Sequence, residues 1–330
     1  MLGKDMNRPL TSVEVCAGAG GQALGLEQAG FHHLALVDND KHCCQTLRMN
    51  RPGWAVHETD LENFDGKPYK GVDLLSGGLP CPPFSVAGKQ LGKNDERNLF
   101  PAFFRLVKEM QPRAILVENV RGFLDPIFAD YRQSLRSQFH SLGYECDWTL
   151  LQANDFGVSQ LRPRVAIVAL PIGSLRFFRF PAKPLPAPSV GELLSDLMSR
   201  NGWEGAAEWT ERANRIAPTI VGGSKKHGGP DLGPTRARRA WAELGVEGRT
   251  IAEDAPVAGF KGMPRLTVRM VARIQGFPDD WAFSGRKTPA YRQVGNAFPP
   301  PVAMHLGNSL KSALLETAAM DYRSDLRATA

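Results

Sequence analysis

The chain has 330 residues, 42% apolar and 22% charged. That suits one large domain or two unequal ones and excludes a chain that is disordered or fibrous throughout. The longest apolar stretch, residues 165–170, is far short of the roughly 20 residues a membrane span needs, and residues 1–10 lack the apolar core of a secretory signal. The net charge of +6 is compatible with a polyanionic partner without requiring one.

In chain order, residues 12–16 read as a strand, a glycine cluster follows, and 22–29 read as a helix. Residues 34–37 form a second strand pattern and 40–49 a second helix. Residues 72–75 and 114–117 are further strands, separated by a helical spacing of Leu99, Phe103, Leu106 and Val107. A helix over 131–142 and a continuous apolar strand over 164–170 complete this half. Strands alternating with helices predict an α/β fold on a mostly parallel sheet covered on both faces. Five prolines between residues 171 and 188 mark a domain junction. Residues 189–264 are rich in Gly, Arg and Trp with weak periodicity, and helices return at 267–275 and about 302–316, with fraying expected after residue 322. Trp203, Trp209 and Trp241 are expected in the core of the smaller domain.

Five cysteines, 16, 43, 44, 81 and 146, make an odd count with an adjacent pair, and no CxxC or HxxxH occurs. Reduced thiols and no structural zinc site are the expectation. Gly18-Ala19-Gly20-Gly21-Gln22-Ala23 fits the G-x-G-x-x-G/A fingerprint between a strand and a helix, and Asp38 stands about twenty residues on, after the next strand. Such a loop brings backbone close to a ligand, and the acid can accept from ribose hydroxyls. It leaves NAD, FAD and S-adenosylmethionine open, and a tight turn with no ligand would look the same.

Four further segments point to chemistry. Pro80-Cys81-Pro82 follows the strand ending near residue 75, Glu118-Asn119-Val120 ends another strand, and Gln160-Leu161-Arg162-Pro163-Arg164 opens the next. Tyr291-Arg292-Gln293-Val294-Gly295-Asn296-Ala297 lies near the C-terminus. With these motifs in this order, the sequence closely resembles the DNA (cytosine-5)-methyltransferases, over residues 11–170 and 264–310.

The resemblance implies a Rossmann-like S-adenosylmethionine-dependent methyltransferase fold with a smaller target-recognition domain. Residues 1–173 would form the large catalytic and cofactor-binding domain and 174–287 the small domain, with 288–330 returning to the large one. It implies S-adenosylmethionine as cofactor, with S-adenosylhomocysteine as product and no metal. Cys81 would be the nucleophile and Glu118 the acid on the base, with Arg162 and Arg164 holding the cytosine and fixing Glu118. Cys16, Ala17, Gly18, Gly20, Gly21, Asp38, Asn39, Asp60, Leu61, Pro80, Asn296 and Ala297 would contact the cofactor, Asp38 at the ribose and Asp60 at the adenine amino group. Ser85, Gln90, Lys225, Lys226, Arg236, Arg238 and Arg265 are the candidates for DNA contact. Three positions depart from the family's pattern. Cys16 stands where Phe is frequent, so ring stacking on adenine is lost or supplied elsewhere; Asp38 stands where Glu is frequent; and Pro82 replaces a frequent Gln.

The chemistry explains the residue types. Cytosine C5 is a poor nucleophile, and thiolate addition at C6 makes it enamine-like. Protonation at N3 relieves the developing charge, which suits a carboxyl such as Glu118. No side-chain base for H5 is evident. The base must leave the duplex stack to be reached, and residues 85–97 are expected as a mobile loop that closes over DNA. The implied partner is double-stranded DNA, in a bacterial restriction-modification or other defence setting with a cognate endonuclease. A monomer in the cytoplasm, at the nucleoid while acting, would suffice. A tRNA methyltransferase and a DNA-binding regulator that has lost catalysis are the alternatives. The length of 171–264 favours a duplex reader over the first, and retention of both Cys81 and Glu118 opposes the second.

Overall fold

The computed structural model describes residues 8–79, 98–181, 186–223 and 229–328, with side chains described to residue 320. Its centre is a seven-stranded sheet in the order β3-β2-β1-β4-β5-β7-β6. The strands are β1 (Leu10–Val15), β2 (Phe31–Asp38), β3 (Val56–Glu58), β4 (Leu74–Gly77), β5 (Ala114–Val120), β6 (Tyr144–Gln152) and β7 (Pro163–Pro171). The first five run parallel, and β7 is antiparallel to both β5 and β6.

Helices cover both faces, which is why the inner strands read as unbroken apolar runs. On one side Val13, Val15, Ile115, Val117 and Ile167 pack with α3 (Phe100–Met110) and α4 (Ala129–Ser141). On the other, Leu74, Leu116, Val168 and Leu170 meet Val302, Leu306, Leu310 and Leu314 of α10 (Pro300–Ala328). Helix α10 continues to Ala328, past the expected fraying point, because residues 308–328 contain no Gly or Pro to end it. α1 (Gly21–Gln28) lies hard against its start: a Cβ at Gly25 would stand 2.3 Å from the Pro300 carbonyl oxygen. α2 (Lys41–Asn50) is capped by the Asp40 carboxylate, which accepts from the His42 amide.

A second core gathers α5 (Val190–Ser199), α6 (Ala206–Arg212), α7 (Thr235–Glu243), α8 (Val268–Ile274) and α9 (Lys287–Asn296). Trp203, Trp209 and Trp241 are all buried in it, as expected of core residues. Tyr291 and Val294 of α9 belong to this core too, and Gln293 of the same helix accepts from Thr46 Oγ1 of α2 at 2.6 Å, so α9 ties the second core to α2.

Candidate active site

The carboxyl ends of β1, β2, β4 and β5 open onto a cavity of about 530 Å³, within the size range of small-molecule sites. The turn after β1 forms its floor. Cys16 and Gly18 both have positive φ, 51° and 54°. The Gly18 amide donates to Asp38 Oδ2 at 2.8 Å, and the Asp40 amide donates to Oδ1 at 2.8 Å. Asp38 therefore braces the glycine loop. Asp60 Oδ2 accepts from the Asn39 amide nitrogen at 3.2 Å, and both residues line the same wall.

The fingerprint glycines divide into two jobs. A Cβ at Gly18 would meet nothing within 4 Å, so its open side faces the cavity. Gly20 is not among the residues lining the cavity; a Cβ there would stand 2.6 Å from Leu47, and its absence lets the loop pack on Leu47 and Trp281. Gly21 lines the cavity, and a Cβ would also strike the Phe298 carbonyl oxygen at 2.2 Å. Cys16, Ala17, Asp38, Asn39, Asp60, Leu61, Asn296 and Ala297 all line the cavity. Pro80 lies outside the described residues.

Glu118 sits at the rim, and Arg164 Nε stands 2.6 Å from its Oε1. The antiparallel register explains the pair. Glu118 is opposite Ala166, and Arg164 is two residues away on the same face, within reach of a long side chain. Because β7 runs against its neighbours, its first residues arrive at the rim where the parallel strands end. Gly78 is close by: a Cβ there would be 3.8 Å from Glu118 Oε2. Cys81 follows three positions later in the chain but lies outside the described residues.

Arg162 is placed differently from the expectation that it holds the base and Glu118. It is fully buried, and its terminal nitrogens donate to the carbonyls of Ile220 at 2.7 Å, Gly295 at 2.8 Å and Ala297 at 3.0 Å. Burial and the nearby Arg164 push its pKa down. Gln160 Oε1 accepts from the Ile220 amide at 2.8 Å, and its amide nitrogen donates to Gln275, whose own amide donates to the Ala297 carbonyl. This buried network ties the lead-in to β7, the segment 217–223 and the end of α9 together. Asn296 completes the tie by donating to the Gly223 carbonyl at 3.2 Å.

Several lining residues escaped the sequence reading, among them Glu14, Arg292 and Gly223. Glu14 carried a usable signal, since an acid inside a buried strand run is unusual. Burial raises its pKa to about 8, and its Oε1 has no hydrogen-bond partner. Cys16 is pushed up by burial and by Asp38, Asp60 and Glu14, so it stays a thiol. Among the described lining residues five are acids (Glu14, Asp38, Asp40, Asp60, Glu118) and two are arginines (Arg164, Arg292). A wall with an orphaned buried acceptor and excess carboxylate fits a cationic nucleoside ligand such as S-adenosylmethionine better than the pyrophosphate of a dinucleotide. The four described cysteines are free.

Of the DNA-contact candidates, Arg236 is exposed in the first turn of α7, and Arg238 donates to Thr235 Oγ1 at 3.4 Å. Arg265 is exposed and donates through Nε to Glu247 at 2.9 Å. Ser85, Gln90, Lys225 and Lys226 lie outside the described residues. No helix among the described residues is long and apolar enough to cross a membrane.

Comparison with known proteins adds three findings. Residues 10–312 match the model of the C-5 cytosine-specific DNA methylases. The chain is 55% identical over 314 residues to the type II methyltransferase M.NgoMIV of Neisseria gonorrhoeae, covering 92% of this chain and 98% of that one. It is 54% identical to the type II methyltransferase M.NaeI of Lentzea aerocolonigenes, covering 92% and 75%. Among solved structures, a putative DNA modification methyltransferase encoded within an E. coli prophage superposes with a TM-score of 0.65 at 22% identity, over 92% of this chain and 99% of the other. A Spodoptera frugiperda DNMT2 variant gives 0.64 at 17%, over 92% and 99%. These superpositions bear on the fold alone, which is the Rossmann-like one the motifs implied.

Proposed function

The chain belongs to the C-5 cytosine-specific DNA methylase family, and from that premise we propose that it methylates C5 of a cytosine flipped out of a specific double-stranded DNA site, as the modification partner of a restriction system. The observation that carries this reading is the Arg164–Glu118 pair, 2.6 Å apart at the mouth of the acid-lined cavity. It supplies a held carboxyl where a base ring and a nucleoside ligand would meet.

In this reading Cys81 adds as thiolate to C6, forming a C6–S bond and making C5 enamine-like. Glu118 donates at N3 as charge develops on the ring, and Arg164 holds the carboxyl in place and offsets that charge. Loss of H5 to water and departure of the Cys81 sulfur restore the aromatic ring. Asp38, Asp60, Asn39 and the open face of Gly18 would hold S-adenosylmethionine, which when bound supplies a methyl group on a sulfonium. Arg162 acts in the scaffold, holding the Gly295 and Ala297 carbonyls against Ile220. Extruding the base costs a few kcal/mol, offset by contacts in the pocket.

Bisulfite sequencing of DNA and tRNA from a host expressing the protein tests the reading. Methylated cytosines confined to one DNA sequence are expected; methylation of tRNA alone would reject it in favour of the RNA enzyme. Duplexes carrying 5-fluorocytosine at the site should trap a covalent adduct. The adduct should vanish in Cys81→Ser, and its persistence would move the nucleophile elsewhere.

A further inference from the structure

Glu247 stands just after α7 and holds two arginines at once. Its Oε1 accepts from Arg249 Nε at 3.1 Å and from the Arg249 backbone amide at 2.9 Å. Its Oε2 accepts from Arg265 Nε at 2.9 Å. The carboxylate is shielded, with its side chain 16% exposed, while the side chains of Arg249 and Arg265 are 76% and 49% exposed. Burial alone would raise the pKa of Glu247; the Arg249 amide and the two guanidiniums hold it below its usual value.

What distinguishes these two arginines is which nitrogen is engaged. Among the described residues, every other arginine with a hydrogen bond or ion pair uses at least one terminal nitrogen, as Arg113 does on Asp73 and Arg273 on Asp279. Arg249 and Arg265 use Nε alone on the side chain. Each guanidinium is thus engaged through Nε on its side-on edge, and its terminal nitrogens have no partner among the described residues.

The mount is stiff. The Glu247 amide donates to the Pro264 carbonyl at 2.9 Å, Leu232 to Gly248 at 3.0 Å, Ile251 to Pro230 at 2.9 Å and Ala252 to Leu266 at 2.8 Å. Arg238 crosses the same spot, since a Cβ at Gly248 would stand 3.2 Å from its Cγ. Two guanidiniums therefore share one carboxylate, a local excess of positive charge suited to a polyanion.

We propose that Glu247 is a positioning residue that presents Arg249 and Arg265 as two end-on forks to guanine edges in the major groove of the DNA site. This rests on the function proposed above. An end-on fork matches the O6 and N7 acceptors of guanine, the commonest specific arginine contact with DNA. Fixing Nε beforehand removes freedom that a loose arginine would lose on binding. A phosphate contact needs only charge, which makes the two roles separable.

The test starts from the site that bisulfite sequencing assigns to the wild-type protein. Binding is then measured, with S-adenosylhomocysteine present, on a duplex carrying that site and on one with the site scrambled. Arg249→Ala and Arg265→Ala should each cut the preference for the site roughly 5- to 100-fold, and Arg249→Lys or Arg265→Lys should not restore it. Replacing the contacted guanine by 7-deazaguanine should weaken the wild-type protein and leave the matching alanine variant indifferent. Glu247→Gln keeps both positive charges and should lower the preference by an intermediate factor without weakening binding to the scrambled duplex. Preference restored by lysine, with alanine merely lowering the salt slope, would make these phosphate contacts and overturn the proposal. Unchanged preference in all variants would make them solvated ion pairs. If the wild-type protein methylates no DNA, the functional reading fails first; if it does and the variants discriminate normally, only this inference fails.

Discussion

The cavity above the sheet and the surface formed by residues 229–265 handle charge in opposite ways. The cavity gathers five acidic side chains, of which burial raises Glu14 to about 8, around two guanidiniums, while the surface sets Arg249 and Arg265 on the single carboxylate of Glu247. On the proposed function, a sulfonium nucleoside and a polyanionic duplex would demand these opposite fields. A modest net charge of +6 conceals the separation, because the two local excesses partly cancel. The glycines differ as well. Gly20, Gly21 and Gly25 let elements approach closely beneath the cavity, whereas Gly233, Gly259 and Gly262 have positive φ in connections of the second region.

Substitutions can break this comparison at different points. The largest effect is expected at the shared rim: Glu118→Gln should lower the rate of methyl transfer about 10²- to 10⁴-fold while leaving cofactor and DNA affinities near wild type, read by single-turnover kinetics beside calorimetric and gel-shift binding. Weakened binding of either ligand would put Glu118 in one region only. Next, Trp241→Ala should cost about 3–5 kcal/mol of stability in the second core. If the two cores melt separately, calorimetry should show a lowered first transition with cofactor binding retained; one shared transition would mean α9 makes them a single unit.

A smaller and one-sided effect is expected from Asp38→Ala. Losing a carboxylate acceptor at the glycine loop should weaken S-adenosylmethionine binding by about 2 kcal/mol, roughly thirtyfold, with DNA affinity untouched. Equal loss of both would show the two regions to be coupled through the loop. The subtlest test is pH. Glu14 is raised from its ordinary 4.5 to about 8 by burial, so between those values the folded protein holds a proton that the unfolded chain has released. Its contribution to stability is full below pH 4.5 and is lost as pH rises through 8. Glu14→Gln should therefore flatten the fall in melting temperature between pH 5 and pH 8, and an unchanged slope would place the titration elsewhere.

The inner strands were legible because both of their faces are buried, which leaves a local apolar signature. β6 was not, since as the outermost strand it carries Glu145 and Asp147 and most of its residues are only half-buried. β3 spans three residues, too few for any periodicity. The helices of 190–243 were obscured by surrounding Gly, Arg and Trp. Within the site, Asp38 and Glu118 could be found because each closes a readable strand. Arg162 could not be separated from Arg164 by sequence, as the two differ only in what the fold packs around them. Glu247 had no local mark, since its partners include Arg265, eighteen residues away.

The sequence by itself determined the family, the α/β class and the order of the motifs, because each of these rests on residues close together in the chain. Tertiary structure decided that β7 runs antiparallel, which carries Arg164 back to the rim beside Glu118. It also decided that Arg162 and Gln160 join segments 58 and 115 residues away, and that Gly20 serves packing where Gly18 faces the cavity. The physical reason is common to all three. Strand direction, burial of a guanidinium and close approach of a backbone are settled by what comes to lie alongside them, and that depends on the whole core closing at once.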